Sequence, residues 1–586
     1  MTFDPHADSS VGDAPKARRG SLVKGAIWGV LAVLLLLLVW LVITGALVAK
    51  AANDVRSQSS SLVAALKSGD ATGTATALVE LQASTATLDA GLNSAPWSQV
   101  ADLPLIGRSV GALASIATGA NGVLAATEGY EETIGRVVKQ VESGGLSEAG
   151  QLRQLQPVTE AAFAATVEPA RAVESAVAMG LPGPVQAVAT EFLNTVEGVA
   201  AANAGTQVLP GMLGFGESAT WLVVFENLAE PRGTGGLITS FTSVTANRGK
   251  LSPGTAQTTN AIDKEKVSLA GIPADTRKLW GPDLAYSYGW NLDRHFPYAG
   301  RLALRSSENP GEAAEYLLSL DAEAVAALLE VVGPVTVAGT TINASNAADY
   351  FTRQIYEDFP NVERKDLVTL AFINQVVSEF FGSELDLVAL AEAIAEPART
   401  GNVKIYSEAA REQRALAASA IGGAVPDRLG PWASVAINDN AGDKMAPYLD
   451  VEVQFESAGR CVAPGTPSRL TATVTNRAPE DIAPYVDEGS RKLLDNPPGS
   501  TRVGVALYAP VGSAFRSAEL DGEETLIKQG RDRSHPVWAV PLDLKRGETR
   551  SFTVEFEEPR TPDLPIQFSR QPMVNPIEVT LTKVNC

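Results

Sequence analysis

Trp221-Leu222-Val223-Val224-Phe225 runs straight into Glu226-Asn227-Leu228-Ala229-Glu230-Pro231-Arg232-Gly233-Thr234-Gly235-Gly236, and the fold turns on this stretch. The apolar run is short and rich in β-branched and aromatic residues, which suits a strand buried in a sheet. The glycines after it predict a turn. Leu237 to Ala246 then returns as a second strand, ending at Arg248-Gly249-Lys250. Further on, Ala322 to Val332 reads as a helix and Val335-Thr336-Val337 as a strand, with helices again over Ala347 to Tyr356 and Arg364 to Phe381. Strands mixed with helices over 210–445 imply an α/β (α+β) domain.

C-terminal to this domain the pattern changes. Leu449, Val451, Val453 and Phe455 alternate with Asp450, Glu452 and Gln454, as do Leu470, Ala472 and Val474 with their neighbours. Val503, Val505 and Leu507, and then Phe552, Val554 and Phe556, repeat that period of two. Turns rich in Pro, Gly and Asp separate these runs, so a β-sandwich is expected over 448–586.

N-terminal to it, residues 50–205 are Ala-rich and poor in aromatics. Leu78, Leu81, Thr85, Leu88 and Leu92 fall on one helical stripe. Breaks at Gly69-Asp70, Ala95-Pro96, Leu103-Pro104, Gly144-Gly145 and Leu181-Pro182-Gly183-Pro184 divide the region into helices, an array or stalk. Residues 25–49 carry no charge and include five consecutive leucines, Leu34 to Leu38. They predict a transmembrane helix, long enough for a hydrocarbon core of about 30 Å. Lys16, Arg18, Arg19 and Lys24 precede it, so residues 1–24 are expected to be a cytoplasmic tail and the bulk of the chain extracytoplasmic. A cleaved signal peptide is the alternative reading of the same segment. The expected fold class is thus multidomain α and β: N-terminal transmembrane helix, α-helical stalk, central α/β domain and C-terminal β-sandwich.

The net charge of −20 over 586 residues excludes a nucleic-acid binder, which needs a basic surface. Cys461 and Cys586 are the only cysteines, and an oxidising compartment permits a disulfide between them; two unrelated thiols are the alternative. His6, His295 and His535 are the only histidines. No HExxH, CxxC pair, P-loop or GxSxG elbow is present. His295, beside Phe296-Pro297, reads as structural.

Two clusters carry more information. Arg232 sits beside Gly233, Gly235 and Gly236, whose N–H groups could turn toward an anion; a tight hairpin with a solvated arginine explains the same residues. Arg353, Arg364 and Lys365 lie near predicted helix ends, suited to phosphate or carboxylate, or to ordinary surface ion pairs.

The stretch from Phe225 through Gly236 to Gly249-Lys250 resembles the domain-of-unknown-function 4012 family. So do Asn291-Leu292-Asp293, Gly333-Pro334-Val335, Asn438 to Lys444 and Thr475 to Pro479, in order over roughly 210–560. The resemblance implies a bacterial envelope protein without implying an activity. Val267 to Thr276, Ala285 to Gly289, Asp321 to Val337 and Tyr350 to Arg364 are also similar to segments of the LytR–CpsA–Psr phosphotransferases, which transfer glycopolymers from a polyprenyl-pyrophosphate carrier to the wall. That likeness implies catalytic roles for Asp275, Arg353 and Arg364, Mg²⁺ on Asp275, and substrate binding by Arg232 and Lys365. Ala274 stands where an arginine is expected, which weakens phosphotransfer. Two functions stay open: a phosphotransferase on polyprenyl-pyrophosphate-linked glycopolymers in cell-wall assembly, and a non-catalytic envelope protein that binds a wall polymer or acts as a scaffold.

Overall fold

The computed structural model describes residues 50–584, except 56, 63, 66–69, 96, 102, 104–105, 262–265, 307–312, 383–386, 460–465 and 562–563. The tail 1–24, the span 25–49, both cysteines and the break residues Gly69, Pro96 and Pro104 lie outside the described residues. Among the described residues no helix is long and apolar enough to cross a membrane. The expected fold class is corrected accordingly: the described residues form helices and several sheets, with no membrane-spanning helix among them. Even the longest helix, Gly183–Met212, carries Gln186, Glu191, Asn194 and Glu197 on successive turns, which a bilayer would not accept.

The N-terminal region holds α1 (Ala71–Asn93), α2 (Gly107–Ala125), α3 (Glu131–Gly144), α4 (Gln156–Ala178) and α5 (Gly183–Met212). Asp70 caps α1 by accepting the Gly73 N–H at 2.9 Å, and Leu78, Leu81, Thr85 and Leu92 of the predicted stripe are buried. Helix α3 ends at the expected Gly144-Gly145 boundary, and the chain continues as a 3-10 segment, Gly145–Leu155. The end of α5 is no free stalk. Val208, Met212 and Leu213 pack on Trp221 and Val223 of the central sheet, and the Trp221 indole donates to the Met212 carbonyl.

That sheet contains β1 (Ala219–Arg232), β2 (Gly235–Asn247), β3 (Lys250–Pro253), β4 (Gln257–Thr258), β5 (Tyr316–Asp321) and, after the separate hairpin β6 (Val335–Val337) and β7 (Thr340–Ile342), β8 (Val403–Ser407). Its order is β3-β2-β1-β5-β8, with β4 beside β2; β1 and β5 are parallel and the other pairs antiparallel. Alternation along the strands divides the side chains. Trp221, Val223, Leu318, Leu320 and Val403 face one way, toward α5. Leu222, Val224, Leu317 and Tyr406 face the other, toward a helix spanning Phe296–Ser306. Among the helices that follow are α6 (Ala322–Val332), capped by Asp321, α7 (Val362–Gly382) and α8 (Leu387–Thr400).

The sandwich is built from β9 (Trp432–Asp439), β10 (Leu449–Ser457), β11 (Ser468–Asn476), β12 (Thr501–Tyr508), β13 (Ala514–Leu520), β14 (Glu523–Glu524), β15 (Lys528–Asp532), β16 (His535–Leu544), β17 (Thr549–Glu557), β18 (Gln567–Ser569) and β19 (Glu578–Lys583). One sheet has the order β14-β13-β17-β11-β10-β19 and the other β15-β16-β12-β9-β18. Val451, Val453, Phe455, Val505, Phe552 and Phe556 form the core between them. Because β9 pairs with β12, the sandwich takes in a strand that precedes residue 448.

Strands β10 and β19 are parallel neighbours; Ser457 pairs with Lys583, and Val584 N–H donates to the Ser457 carbonyl at 2.9 Å. The segments leading to Cys461 and Cys586 therefore leave one pair of strands. A non-reduced proteolytic digest is expected to contain a Cys461–Cys586 linked peptide. Reduction is expected to cost the sandwich about 4–5 kcal/mol in the chain-entropy picture. Quantitative alkylation of both thiols in non-reduced protein would rule the pairing out.

Candidate functional site

Between the Trp221 face of the sheet and the helices lies an apolar chamber of about 390 Å³. Val223, Leu318 and Ile405 form its floor, α5 contributes Met212, α6 contributes Leu328, and α7 contributes Val376. Thr242 is the only hydroxyl-bearing side chain among the described lining residues, and that hydroxyl is occupied by the Gly254 carbonyl at 3.0 Å. Nothing on these walls can hold water in place, so the space suits hydrocarbon.

Phe225, Leu320 and Val325 separate the chamber from a smaller cavity of about 60 Å³ where the parallel pairing of β1 with β5 ends. Its lining includes Glu226, Asp321 and Lys365. Glu226 and Asp321 occupy paired positions on the parallel strands. The Glu226 carboxylate accepts from the Ser319 hydroxyl at 2.7 Å, the Gly236 N–H at 3.2 Å and the Lys404 ammonium at 3.4 Å. Asp321 accepts the N–H groups of Glu323 and Ala324 and the Asn402 amide. Burial pushes its carboxyl up to about 7, against the pull of Lys404 and these donors.

The glycine-rich turn is occupied from within. Gly236 N–H serves Glu226, and Gly233 N–H donates to Asn438 at 2.9 Å. The anion this turn holds is the chain's own carboxylate. Both glycines at its centre are needed. Gly235 has φ +157°, where a Cβ would meet the Glu226 carboxylate at 2.4 Å; a Cβ on Gly233 would meet the Leu292 carbonyl at 2.3 Å.

Arg232 is 6 % exposed and donates to the carbonyls of Pro231, Tyr288 and Asp439, with the Asp439 carboxylate 3.6 Å away. It is neither solvated nor open to a ligand. The segments that carry the family resemblance meet here: Asn438 and Asp439 from β9, Leu292 from the loop before the Phe296 helix, and the β1–β2 turn. Gln571 closes the junction by donating to the carbonyls of Arg232 and Ile437. His295 is buried at the same junction and accepts from Val425 N–H. Desolvation, then Arg533 and Arg301, holds its imidazole down to about 3, so it is neutral and structural.

The other sequence candidates are dispersed. Asp275 is exposed in the first turn of a short helix, Ala274–Trp280, whose Leu279 lies against Gly530 of the sandwich. Arg353 is exposed and forms a two-pronged pair with Asp349, both bonds 2.9 Å. Arg364 is exposed on the first turn of α7. None of these three lines the chamber or the smaller cavity; Lys365 lines the latter and pairs with Asp366 at 2.6 Å. Nor do the described residues gather a ligand set for Mg²⁺ around Asp275: no group of three or more His, Cys, Asp or Glu among them could hold a metal ion. Sequence reasoning missed Lys404. Its signal was a lone cation in an otherwise apolar strand, Val403-Lys404-Ile405-Tyr406.

Residues 217–356 match the model of the family described as a protein of unknown function, DUF4012. This is the family whose pattern the β1–β2 turn resembles, over a shorter span than 210–560. No counterpart of the LytR–CpsA–Psr likeness was found. No curated protein and no solved structure matches the chain.

Proposed function

We propose, from the premise that residues 217–356 carry the DUF4012 pattern, that this chain is a cell-envelope protein that binds the hydrocarbon tail of a lipid-linked substrate. The apolar chamber carries the reading: about 390 Å³ is within the range of small-molecule sites, and its walls offer a tail everything and a polar group almost nothing. Binding alone satisfies this arrangement, as in the non-catalytic alternative.

The test is lipid retention. Full-length protein purified under mild conditions should release lipid on solvent extraction, read by mass spectrometry. Leu328→Trp and Val376→Trp, which fill the chamber, should lower that yield about tenfold with a stability change of about 1–3 kcal/mol or less. Equal lipid content in wild type and both variants, or none in any, would exclude the chamber as a tail site.

One observation favours the transferase as a second reading. Asp321, with its carboxyl near 7, lines the small cavity beside Lys365, behind the chamber wall. There it could accept a proton from an attacking hydroxyl as the new P–O bond forms and the pyrophosphate P–O bond breaks, the leaving lipid phosphate keeping only its hydrocarbon tail in the chamber. Glycan transfer from a polyprenyl-pyrophosphate donor that survives intact in Asp321→Asn would remove this role.

A further inference from the structure

We propose that a cationic cavity on the opposite face of the central sheet, where the sheet meets the sandwich, is a binding site for a phosphoanion. The cavity holds about 180 Å³, and Arg294, Arg399, Lys404 and Arg570 line it together with the hydroxyls of Thr234 and Ser419. No carboxylate is among its described lining residues, in a chain whose net charge is −20. Glu226 is buried behind the wall, paired with Lys404 at 3.4 Å, while Glu396 is exposed and pairs with Arg399 at 2.6 Å from the side of the neighbouring groove.

Two of the cations are fixed. Lys404 is 2 % exposed; its ammonium donates to the Gly401 carbonyl and lies 5.5 Å from the centre of the Phe296 ring. Arg294 is 8 % exposed and is held by Ser434, Ser569 and the carbonyls of Gly233 and Arg570. Burial lowers its guanidinium to about 10, which leaves it charged at neutral pH. The other two supply free donors. Arg570 is exposed and, among the described residues, donates only from Nε, to the Ile577 carbonyl. Arg399 uses Nε and Nη2 on Glu396.

Cationic and hydroxyl donors converging without a carboxylate among the described lining residues match the acceptor-only oxygens of a phosphate. The site also lies beyond the C-terminal ends of parallel strands β1 and β5, where ligands of mixed sheets gather. Arg399, Thr400, Ser569, Arg570 and Pro572 also line a neighbouring groove of about 1180 Å³ between α8 and the C-terminal segment. An ester substituent would run along it. Glu323, Glu330, Glu392 and Glu396 line that groove, so the anionic end belongs in the cavity.

This inference stands without the lipid-tail reading, and titration calorimetry of the full chain with inorganic pyrophosphate tests it. Saturable, salt-sensitive binding is expected, weakened about tenfold or more by Arg399→Gln with Arg570→Gln. Arg411→Gln, whose guanidinium pairs with Glu160 elsewhere, should leave it unchanged. Leu328→Trp should keep pyrophosphate affinity while losing lipid, so the two readings fail separately. No saturable binding at millimolar pyrophosphate, or equal affinity in the Arg399/Arg570 variant, overturns the site.

Discussion

Lys404→Met is expected to destabilise the central domain by about 3–5 kcal/mol, the usual cost of stranding one member of a buried ion pair. The side chains of Glu226 and Lys404 are 0 % and 3 % exposed, so water cannot replace the lost ammonium. Glu226 would keep the Ser319 hydroxyl and the Gly236 N–H, but both are neutral donors and cannot offset a full charge. The prediction distinguishes a charge effect from a packing effect. Met fills nearly the volume of Lys, and Glu226→Gln added to Lys404→Met removes the stranded charge. The double variant should therefore recover part of the loss, measured as the denaturant midpoint of the central domain. If Lys404→Met alone shifts stability by less than about 1 kcal/mol, the pair is not holding the strand ends together.

A second large effect concerns pH. Asp532, at the end of β15, is fully buried, and neither of its oxygens receives a donor. It faces Asp293, whose carboxylate already takes the His295 N–H at 2.8 Å and the Trp280 indole at 2.7 Å. Two ionised carboxylates cannot share that space, so Asp532 is the one that keeps its proton and donates to Asp293. Burial first, then Asp293, push its carboxyl well above the usual range, while Arg533 and Arg294 pull it back. Tyr298 and Tyr508, whose hydroxyls burial holds neutral, complete the surroundings with the neutral His295.

The sign follows from linkage. The native state holds the proton more tightly than the unfolded chain, so this contribution is complete below about pH 4. It declines as pH rises through the folded value, by at most about 1.4 kcal/mol per pH unit. Asp532→Asn cannot ionise and still donates to Asp293. It should match wild type at acid pH and exceed it in stability at mildly alkaline pH. Denaturant midpoints that run parallel for the two proteins across that window would show that Asp293 and Asp532 do not share a proton.

Much of the architecture could be read from periodicity. The alternation at Leu449 to Phe455 is β10, that at Phe552 to Phe556 is β17, and the run Trp221 to Phe225 lies within β1. A strand's exposed and buried faces are written two residues apart, so a few residues suffice. The site was less legible. Arg232 stood out beside glycines and proved to be a bolt between two domains. Arg353 has a partner four residues away on its own helix. Conversely, the cationic cavity draws on residues 294, 399, 404 and 570, which no local pattern joins.

The Trp221 to Gly236 stretch by itself determined that a buried strand, a glycine-forced turn and a returning strand lie at the centre of this protein. Backbone sterics and apolar periodicity act over a few residues, and both are complete within that segment. Only the tertiary structure decided what the turn does. It binds Glu226 of its own strand and locks onto Asn438, while Lys404, from a strand far along the chain, completes the charge balance. Whether a charged side chain is solvated, paired or aimed into a cavity depends on which distant segments fold against it, and that is settled only when the sheet and the sandwich meet.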